Sequence, residues 1–263
     1  MTENKVTLIT GASSGMGAAL ALEYAQRGHH LVLLARREER LLAVKHACEK
    51  ASSGCRVEIV VGDVNEAVTH AVEKAERVFG RLDVVYANAG YAAFSPVEKL
   101  TLADYERQFS VNIFGVIRTY HASAEVLRRT EGRFAVVSSI ASYMVPPGMT
   151  AYCMSKYAVR AFAEGLQADL KGKFPSVTLV CPGIVNTEIW QIDVEGVRHP
   201  DHAKKLPALL PDSPEQAATK MARAVEARRK QVVFPLHAKS AVFFARHFPR
   251  LLASMMATQP APV

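Results

Sequence analysis

The sequence is poor in cysteine, and the spacing of its four cysteines excludes two common roles. Cys48, Cys55, Cys153 and Cys181 form no C-x-x-C pair and have no metal-binding spacing with the nine histidines. A redox-active C-x-x-C pair or a structural zinc site would require such a spacing. We therefore expect free thiols, a reduced cytoplasmic compartment and no metal cofactor.

Long apolar runs are also missing. No uninterrupted hydrophobic stretch is long enough to cross a bilayer, and the residues before Lys5 show no signal-peptide pattern. There is no internal repeat and no linker-like change in composition before Pro182. The chain has 263 residues, 49% of them hydrophobic and 22% charged, so we expect a folded protein with a large core.

Acidic residues are scarce in one region only. Between Gln216 and Arg250 the chain has eight lysines and arginines and a single acid, Glu226. The rest of the chain is balanced, although the net charge is +7. Because the excess is local, it argues against nucleic acid as a partner and indicates a confined basic surface.

The basic region overlaps an apolar C-terminal stretch. Residues 236–257 combine phenylalanine, leucine and methionine with lysine, arginine and histidine. Such a basic amphipathic segment is typical of peripheral membrane contact, but a pocket lid or an oligomer contact fits the same pattern. Pro249 should kink or divide any helix there. We expect residues 258–263 to form a flexible tail.

Apolar, strand-like runs alternate with helix-like patterns along the chain. Residues 30–35 are nearly all apolar, as expected for a strand buried on both faces. This alternation predicts an α/β fold: a single doubly wound, Rossmann-type domain over residues 1–235, with a parallel sheet and helices on both faces. The domain would include a substrate loop at 184–213. The predicted strands are 5–10, 30–35, 56–61, 84–88, 133–138, 177–181 and 231–234, and the predicted helices include 66–79, 152–171, 214–229 and one or two helices over 102–129.

A glycine-rich turn joins the first predicted strand to the first predicted helix. Residues 10–17 read T-G-A-S-S-G-M-G. Glycines permit a tight turn and close backbone approach, and the helix N-terminus favours an anion such as a pyrophosphate. A plain strand-to-helix turn is the alternative interpretation. The residues that we predict to bind the dinucleotide here are Gly11, Ser13, Ser14, Gly15, Met16 and Gly17.

The residues after the second predicted strand indicate which dinucleotide is bound. An acid there would bind the ribose 2′-hydroxyl of NAD, whereas an arginine accommodates the 2′-phosphate of NADP. The chain has Arg36 and Arg37 at this point, and glutamates only afterwards. Because Arg36 can hold a phosphate and stack on adenine, we predict NADP(H), with NAD(H) as the alternative. The competing interpretation is that both arginines merely begin a solvated helix.

Tyr152 and Lys156 lie four residues apart in another predicted helix and so share one face. A free phenol titrates near ~10 and a free ammonium near ~10.4, so neither transfers protons readily at neutral pH. A nearby ammonium favours the phenolate. We therefore expect Lys156 to lower the pKa of Tyr152 and make it a general acid or base.

Taken in order, these motifs resemble the short-chain dehydrogenase/reductase family over residues 5–187. Residues 10–17 fit its T-G-x-x-x-G-x-G turn, and residues 63–64 fit its D-V pair, which contacts adenine. Residues 87–90 match its N-N-A-G motif, except that alanine replaces the first asparagine. Residues 182–187 fit its P-G-x-V-x-T segment beside the nicotinamide. Together, the motifs in this order predict membership of the family.

The resemblance implies four catalytic residues. Asn112 and Ser139 fit the catalytic asparagine and serine of the family, and Ser139 precedes Tyr152 by thirteen residues. Ser139 would donate a hydrogen bond to the substrate oxygen and Tyr152 would exchange its proton. Lys156 would also bind the nicotinamide ribose, and Asn112 would hold a water on the proton path. The resemblance further implies cofactor contacts at Asp63, Val64, Asn88, Ala89, Gly90, Tyr152, Lys156, Pro182, Gly183, Val185 and Thr187.

Several of these residues have simpler interpretations when each is considered singly. Asp63 would cap the helix that follows it, and Ser139 would be an ordinary turn residue at a strand end. Asn112 would be an anomaly, because a buried amide needs partners. The functional interpretation depends on the ordered series.

The substrate pocket falls where the resemblance fades. Its predicted walls are largely apolar: Tyr91, Ala92 and Phe94, residues 143–149, and the loop 184–211. An apolar pocket fits a small hydrophobic ketone, aldehyde or alcohol. The sole tryptophan, Trp190, would either line this pocket or only pack the loop onto the body.

These observations predict an NADP(H)-dependent oxidoreductase that reduces a hydrophobic carbonyl or oxidises the matching alcohol. An NAD-linked alcohol dehydrogenase is one alternative, and a non-catalytic nucleotide-binding regulatory protein is another. Members of the family commonly form dimers or tetramers, so the resemblance also implies a homodimer or homotetramer through helices 102–129 and 152–171.

Overall fold

Short runs rich in valine, leucine and isoleucine form the strands of a parallel sheet, as the sequence predicts. The computed structural model describes residues 4–195, 197, 199 and 211–258. Within these residues the strands are β1 (Val6–Thr10), β2 (His30–Ala35), β3 (Val57–Val61), β4 (Val84–Ala87), β5 (Arg133–Val137), β6 (Ser176–Pro182) and β7 (Gln231–Phe234). Their order across the sheet is β3-β2-β1-β4-β5-β6-β7, and every pair is parallel. The predicted fold class is confirmed.

Helices cover both faces of the sheet. Leu8 on β1 packs into one core and its neighbour Ile9 into the other, because successive side chains of a strand point to opposite faces. Both are fully buried, and each contributes about 1.5–3 kcal/mol of hydrophobic stabilisation. The helices are α1 (Gly15–Gln26), α2 (Glu38–Ala51), α3 (Val64–Phe79), α4 (Leu102–Phe109), α5 (Gly115–Arg129), α6 (Thr150–Leu170), α7 (Pro214–Glu226), α8 (Leu236–His247) and α9 (Pro249–Ala257).

The strand order reverses between β1 and β4. From β1 the chain proceeds to β2 and β3 on one side, and from β4 to β5, β6 and β7 on the other. The connections at the carboxyl ends of β1 and β4 therefore diverge. Such a switch point leaves a crevice at that edge of the sheet, which is where open α/β folds bind ligands.

The segment 102–129 forms two helices separated by a widened turn. Residues 110–114 make one turn of π-helix between α4 and α5. A π-turn inserts one extra residue into a helix and is often found at functional sites. Asn112 lies in this turn and is fully buried.

Pro249 divides the C-terminal segment into α8 and α9, as predicted from the sequence. Ala238 and Val242 attach α8 to the body, because both are buried, whereas α9 has no buried residue. Phe243 and Met255 are about half exposed or more. Among the described helices, none combines the length and the apolar character needed to span a bilayer.

Candidate active site

The glycine turn after β1 is shaped by close backbone contacts. Gly11 and Gly15 have φ angles of +68° and +53°, a conformation that favours glycine. A β-carbon on Gly11 would lie 2.9 Å from the α-carbon of Ala89, and one on Gly17 would lie 2.2 Å from the carbonyl oxygen of Gly11. No side chain fits these positions. The turn therefore leaves the N-terminus of α1 open to an anion.

The turn is connected to the end of β4 by hydrogen bonds. The side-chain amide of Asn88 donates to the carbonyl oxygen of Thr10 at 2.9 Å. The Thr10 hydroxyl oxygen accepts from the backbone N–H groups of Asn88 and Ala89, both at 3.0 Å. These bonds place residues 88–90 beside the glycine turn, on the crevice between β1 and β4.

Tyr152, Lys156 and Ser139 meet at the end of β5. Burial of Tyr152 and Lys156 is nearly complete, and Lys156 Nζ donates to the carbonyl oxygen of Val137 at 3.0 Å. This nitrogen lies 5.6 Å from the centre of the Tyr152 ring. The hydroxyl of Ser139 is hydrogen-bonded to that of Tyr152, and its oxygen also accepts from the N–H of Ala141 at 3.1 Å.

The pKa of Tyr152 is shifted upward, opposite to the direction expected from its spacing to Lys156. Burial raises the pKa of Tyr152 to about 12, and the hydrogen bond from Ser139 lowers it only in part. Burial also lowers the pKa of Lys156 to about 8. Both shifts have one cause: a charged group loses its hydration when it is buried, so desolvation disfavours the phenolate and the ammonium alike. At neutral pH this environment favours a protonated tyrosine.

Asn112 is fixed by three hydrogen bonds to its neighbours. Its Oδ1 accepts from the N–H of Tyr91 at 3.1 Å, and its Nδ2 donates to the carbonyl oxygen of Tyr91 at 2.9 Å and to Ser155 Oγ at 3.0 Å. Both amide hydrogens are used, so the side chain has one acceptor site left. A β-carbon on Gly90 would lie 3.0 Å from Asn112 Oδ1 and 3.7 Å from Lys156 Nζ, so both side chains converge on Gly90.

One cavity of about 530 Å³ joins the glycine turn to Tyr152. It follows the crevice between β1 and β4 and is lined by every predicted site residue except Asn112, whose side chain lies just behind Gly90. The predicted residues that line it are Gly11, Ser13, Ser14, Gly15, Met16, Gly17, Arg36, Asp63, Val64, Asn88, Ala89, Gly90, Ser139, Tyr152, Lys156, Pro182, Gly183, Val185 and Thr187.

Asp63 has the structural role that it would have as an isolated helix cap, and it also lines the cavity. Its Oδ1 accepts from the backbone N–H of Asn65 at 2.9 Å, which caps α3. The cavity runs past this cap and past Val64. The two interpretations of Asp63 are therefore compatible.

The end of the cavity near β2 contains residues that sequence analysis did not assign. Arg36 is exposed, but Arg37 points back to the glycine turn and donates to Ser14 Oγ at 2.7 Å and to Ser13 Oγ at 3.3 Å. Arg37 also pairs with Glu188 at 3.1 Å. Two local signals point to Arg37: it follows β2 closely, and it lies at the start of α2, where a cation is unfavourable for the helix dipole.

At the end of the cavity near Tyr152, some of the predicted apolar walls are present and others are not. Phe94 lies with its ring centre 6.2 Å from that of Tyr152, and Met149 and Ile189 pack against the same cluster. Tyr143 does not line the cavity; its ring is buried and its hydroxyl accepts from Arg246 at 3.2 Å. Residues 196, 198 and 200–210 of the predicted loop, the Trp190 side chain and the tail residues 259–263 lie outside the described part of the structure.

Comparison with known sequences supports the assignment of the motifs. The profile of the family described as short chain dehydrogenase matches residues 5–197. The 11-beta-hydroxysteroid dehydrogenase A of Sesamum indicum is 38% identical over 190 residues, which cover 71% of this chain and 54% of that protein. The chain thus spans about half the length of this relative.

Comparison with solved structures finds the same architecture. A short-chain dehydrogenase from Sphingobium yanoikuyae in complex with NADPH has a TM-score of 0.77 at 29% identity, covering 97% of this chain and 96% of that one. A short-chain dehydrogenase/reductase from Burkholderia phymatum in complex with NAD has a TM-score of 0.83 at 26% identity, covering 95% and 96%. The neighbours therefore include binders of both dinucleotides.

Proposed function

This chain belongs to the short-chain dehydrogenase family, and from that premise we propose that it is an NADP(H)-dependent oxidoreductase acting on a hydrophobic carbonyl or the matching alcohol. The observation that carries the proposal is the junction of Ser139, Tyr152 and Lys156 inside a cavity that also reaches the glycine turn. A bound nicotinamide would supply the hydride chemistry. The glycine turn fits such a group. The Gly11 carbonyl oxygen leaves no room for a side chain at Gly17, so the bare backbone of the turn faces the cavity.

In this mechanism the protein positions the substrate oxygen and controls its proton. Ser139 donates a hydrogen bond to that oxygen. Tyr152, protonated at neutral pH, gives the proton in reduction and takes it back in oxidation. Lys156 stabilises the developing phenolate charge and would also hold the ribose of a bound cofactor. Asn112 keeps Gly90 and Tyr91 in place beside Lys156, and its remaining acceptor site holds a water on the proton path.

The preference for NADP(H) is supported by the charges at the far end of the cavity. Arg36 and Arg37 follow β2, and no acid occupies the position that would bind a ribose 2′-hydroxyl. Arg37 already contacts the hydroxyls of the glycine turn. A guanidinium offers several donors to a phosphate, so this end suits a 2′-phosphate.

A hydrophobic substrate is supported by the walls near Tyr152. Phe94, Met149 and Ile189 are apolar and pack around the tyrosine. The Sesamum indicum relative is named as a hydroxysteroid dehydrogenase, and a hydroxysteroid is a largely apolar compound.

The experiment is a panel of hydrophobic ketones, aldehydes and alcohols, followed by the absorbance of NADPH and, in parallel, NADH. We expect turnover with NADPH and at least tenfold lower kcat/KM with NADH. Equal or better turnover with NADH would favour the NAD-linked alcohol dehydrogenase. Tight binding of NADPH without turnover of any compound would favour the regulatory protein and contradict the proposal.

We further propose that α8 and α9 contact an anionic membrane surface. The support is their exposed apolar side chains, such as Phe243 and Met255, beside exposed Lys239 and Arg250. No acid follows Glu226 in the sequence, so a second copy presenting the same surface would bring like charges together. Anionic lipid has the complementary charge.

Vesicle sedimentation tests this surface. The full chain should bind vesicles with phosphatidylserine more than those of phosphatidylcholine alone, and less at high salt. A chain ending at Phe248 removes only α9, which has no buried residue. Equal sedimentation of the two chains would contradict the proposal.

A second copy is proposed to pack elsewhere, on the helices predicted for oligomer formation. Phe114 precedes α5, and Met154 and Tyr157 lie on α6; all three are 40–51% exposed. Light scattering after size exclusion should give a dimer or tetramer for the wild type and smaller particles for Phe114→Glu. A monomeric wild type would contradict this assignment.

A further inference from the structure

Glu188 forms ion pairs with two arginines at the β2 end of the cavity. Its carboxylate accepts from Arg37 at 3.1 Å and from Arg40 at 2.7 Å. The side chain of Glu188 is 26% exposed, whereas those of Arg37 and Arg40 are 41% and 39% exposed. The three residues come together from opposite sides of the crevice, since the arginines lie at the start of α2 and Glu188 follows β6.

The segment that carries Glu188 touches both ends of the cavity. A β-carbon on Gly15 would lie 3.2 Å from the methyl group of Thr187, so this residue covers the glycine turn. Ile189, on the other side of Glu188, packs against the cluster around Tyr152. Three consecutive residues thus contact the glycine turn, the arginines and the proposed reaction centre.

We propose that Glu188 is a specificity-determining residue, an internal anion that competes with the 2′-phosphate of NADP(H) for Arg37 and Arg40. The proposal rests on the proposed function, because the competing phosphate is that of the cofactor. When the phosphate binds, the arginines exchange the carboxylate for it and Glu188 is released. When NAD(H) binds, the ion pairs persist. Glu188 therefore reduces the advantage of NADP(H) over NAD(H).

The carboxylate and the phosphate would compete because they need the same donors. Arg37 uses one side of its guanidinium for Ser13 and Ser14 and the other for Glu188, and both anions need the same N–H groups. The pairs are partly exposed and therefore weak, so a phosphate of higher charge can displace the carboxylate. This displacement releases the side chain of Glu188, which directly precedes Ile189 in the sequence.

The test uses 2′,5′-ADP and 5′-AMP, which differ in the 2′-phosphate alone and contain no nicotinamide. Isothermal titration gives the Kd of each for the wild type and for Glu188→Gln. The variant should bind 2′,5′-ADP about fivefold more tightly and 5′-AMP within about twofold of the wild type. The gain should shrink at high salt, because partly exposed charges are screened.

Glu195→Gln is the matched control, because this exposed acid lies in the same segment and its removal changes the net charge equally. It should leave both affinities unchanged. The proposal is overturned if Glu188→Gln binds 2′,5′-ADP no better than Glu195→Gln does. It is also overturned if Glu188→Gln weakens both nucleotides, since Glu188 would then be a strap that closes over them. Neither result depends on turnover, so a failed substrate panel would defeat the proposed oxidoreductase without deciding this question.

Discussion

The two ends of the cavity differ in how they treat charge. Around Tyr152 and Lys156 the side chains are buried and hydrogen-bonded, and burial shifts both pKa values toward the neutral forms. Around Arg37 the side chains are partly exposed and form ion pairs with Glu188. In the proposed function, the first end would serve proton transfer and the second would exchange an anion.

If the proposed function is right, dinucleotide affinity and catalytic rate depend on separate parts of this chain. Buried charged groups lose their hydration, so a single hydrogen bond to Tyr152 should have a large effect on the rate of the proposed reaction. Ion pairs at the surface are weakened by solvent and salt, so each arginine contributes only modestly. Variants at the buried end should therefore change kcat, and variants at the exposed end should change the Kd of the dinucleotide.

Ser139→Ala should have a large effect at the buried end. It removes the proposed donor to the substrate oxygen, together with the hydrogen bond that partly lowers the pKa of Tyr152. We expect kcat to fall about 10²-fold, with the Kd of NADPH within about twofold. Steady-state kinetics and fluorescence titration measure the two quantities. Ser142→Ala is the control, because its buried hydroxyl donates to the Ser139 carbonyl oxygen and does not line the cavity; an equal loss there would remove the special role of Ser139.

Arg37→Gln should have a smaller effect, and this effect should be on the Kd of NADPH and not on kcat. Loss of its charged hydrogen bonds should raise the Kd of NADPH about tenfold while that of NADH changes about twofold or less. Arg36→Gln should have the lesser effect of the two, because Arg36 is exposed whereas Arg37 contacts Ser13 and Ser14. Arg77→Gln, on the exposed surface of α3, controls for net charge. A larger effect for Arg36 would instead assign the main contact with the phosphate to Arg36, the residue predicted from the sequence.

Lys156→Met, apart from its effect on turnover, should change the free energy of unfolding by a modest amount. The folded-state pKa of Lys156, about 8, lies below its unfolded value of ~10.4, so the buried ammonium destabilises the fold at pH 7. That penalty is fully present below about pH 8 and disappears as pH approaches the unfolded value. The variant should therefore be about 1–2 kcal/mol more stable than the wild type at pH 7, after the lost bond to Val137, and lose this advantage by pH 10.

Urea unfolding at the two pH values measures this difference. Lys173→Met, at an exposed position, should show no such dependence on pH. A variant of Lys156 that is less stable than the wild type at both pH values would contradict the assigned cost of burial.

The fold could be predicted from the sequence because its signals are local. Residues 30–35 and 231–234 form strands with the predicted bounds, since each is a short apolar run between turn signals. The glycine turn is also predictable from the sequence, because the close backbone contacts at Gly11 and Gly17 allow only glycine there. The choice between one and two helices over 102–129 depended on a π-turn, for which no local residue pattern was recognised.

What the sequence did not predict depends on distance and burial. Glu188 is 151 residues from Arg37, and no local pattern connects them. The pKa of Tyr152 was expected to fall because a lysine lies one helical turn away, whereas its direction is decided by the desolvation that the whole fold imposes. Spacing in a sequence identifies a pair of groups, but packing decides which of their forms is favoured.

Tyr152→Phe tests the central claim most directly, because it removes one oxygen atom and keeps the ring that packs against Phe94. Turnover and the Kd of NADPH are measured on the same preparation, with Tyr157→Phe, one turn along α6 and 40% exposed, as the control. The account predicts that kcat falls about 10³-fold while the Kd changes less than about twofold. Substantial residual turnover, or a loss of NADPH binding as large as the loss of kcat, would contradict it.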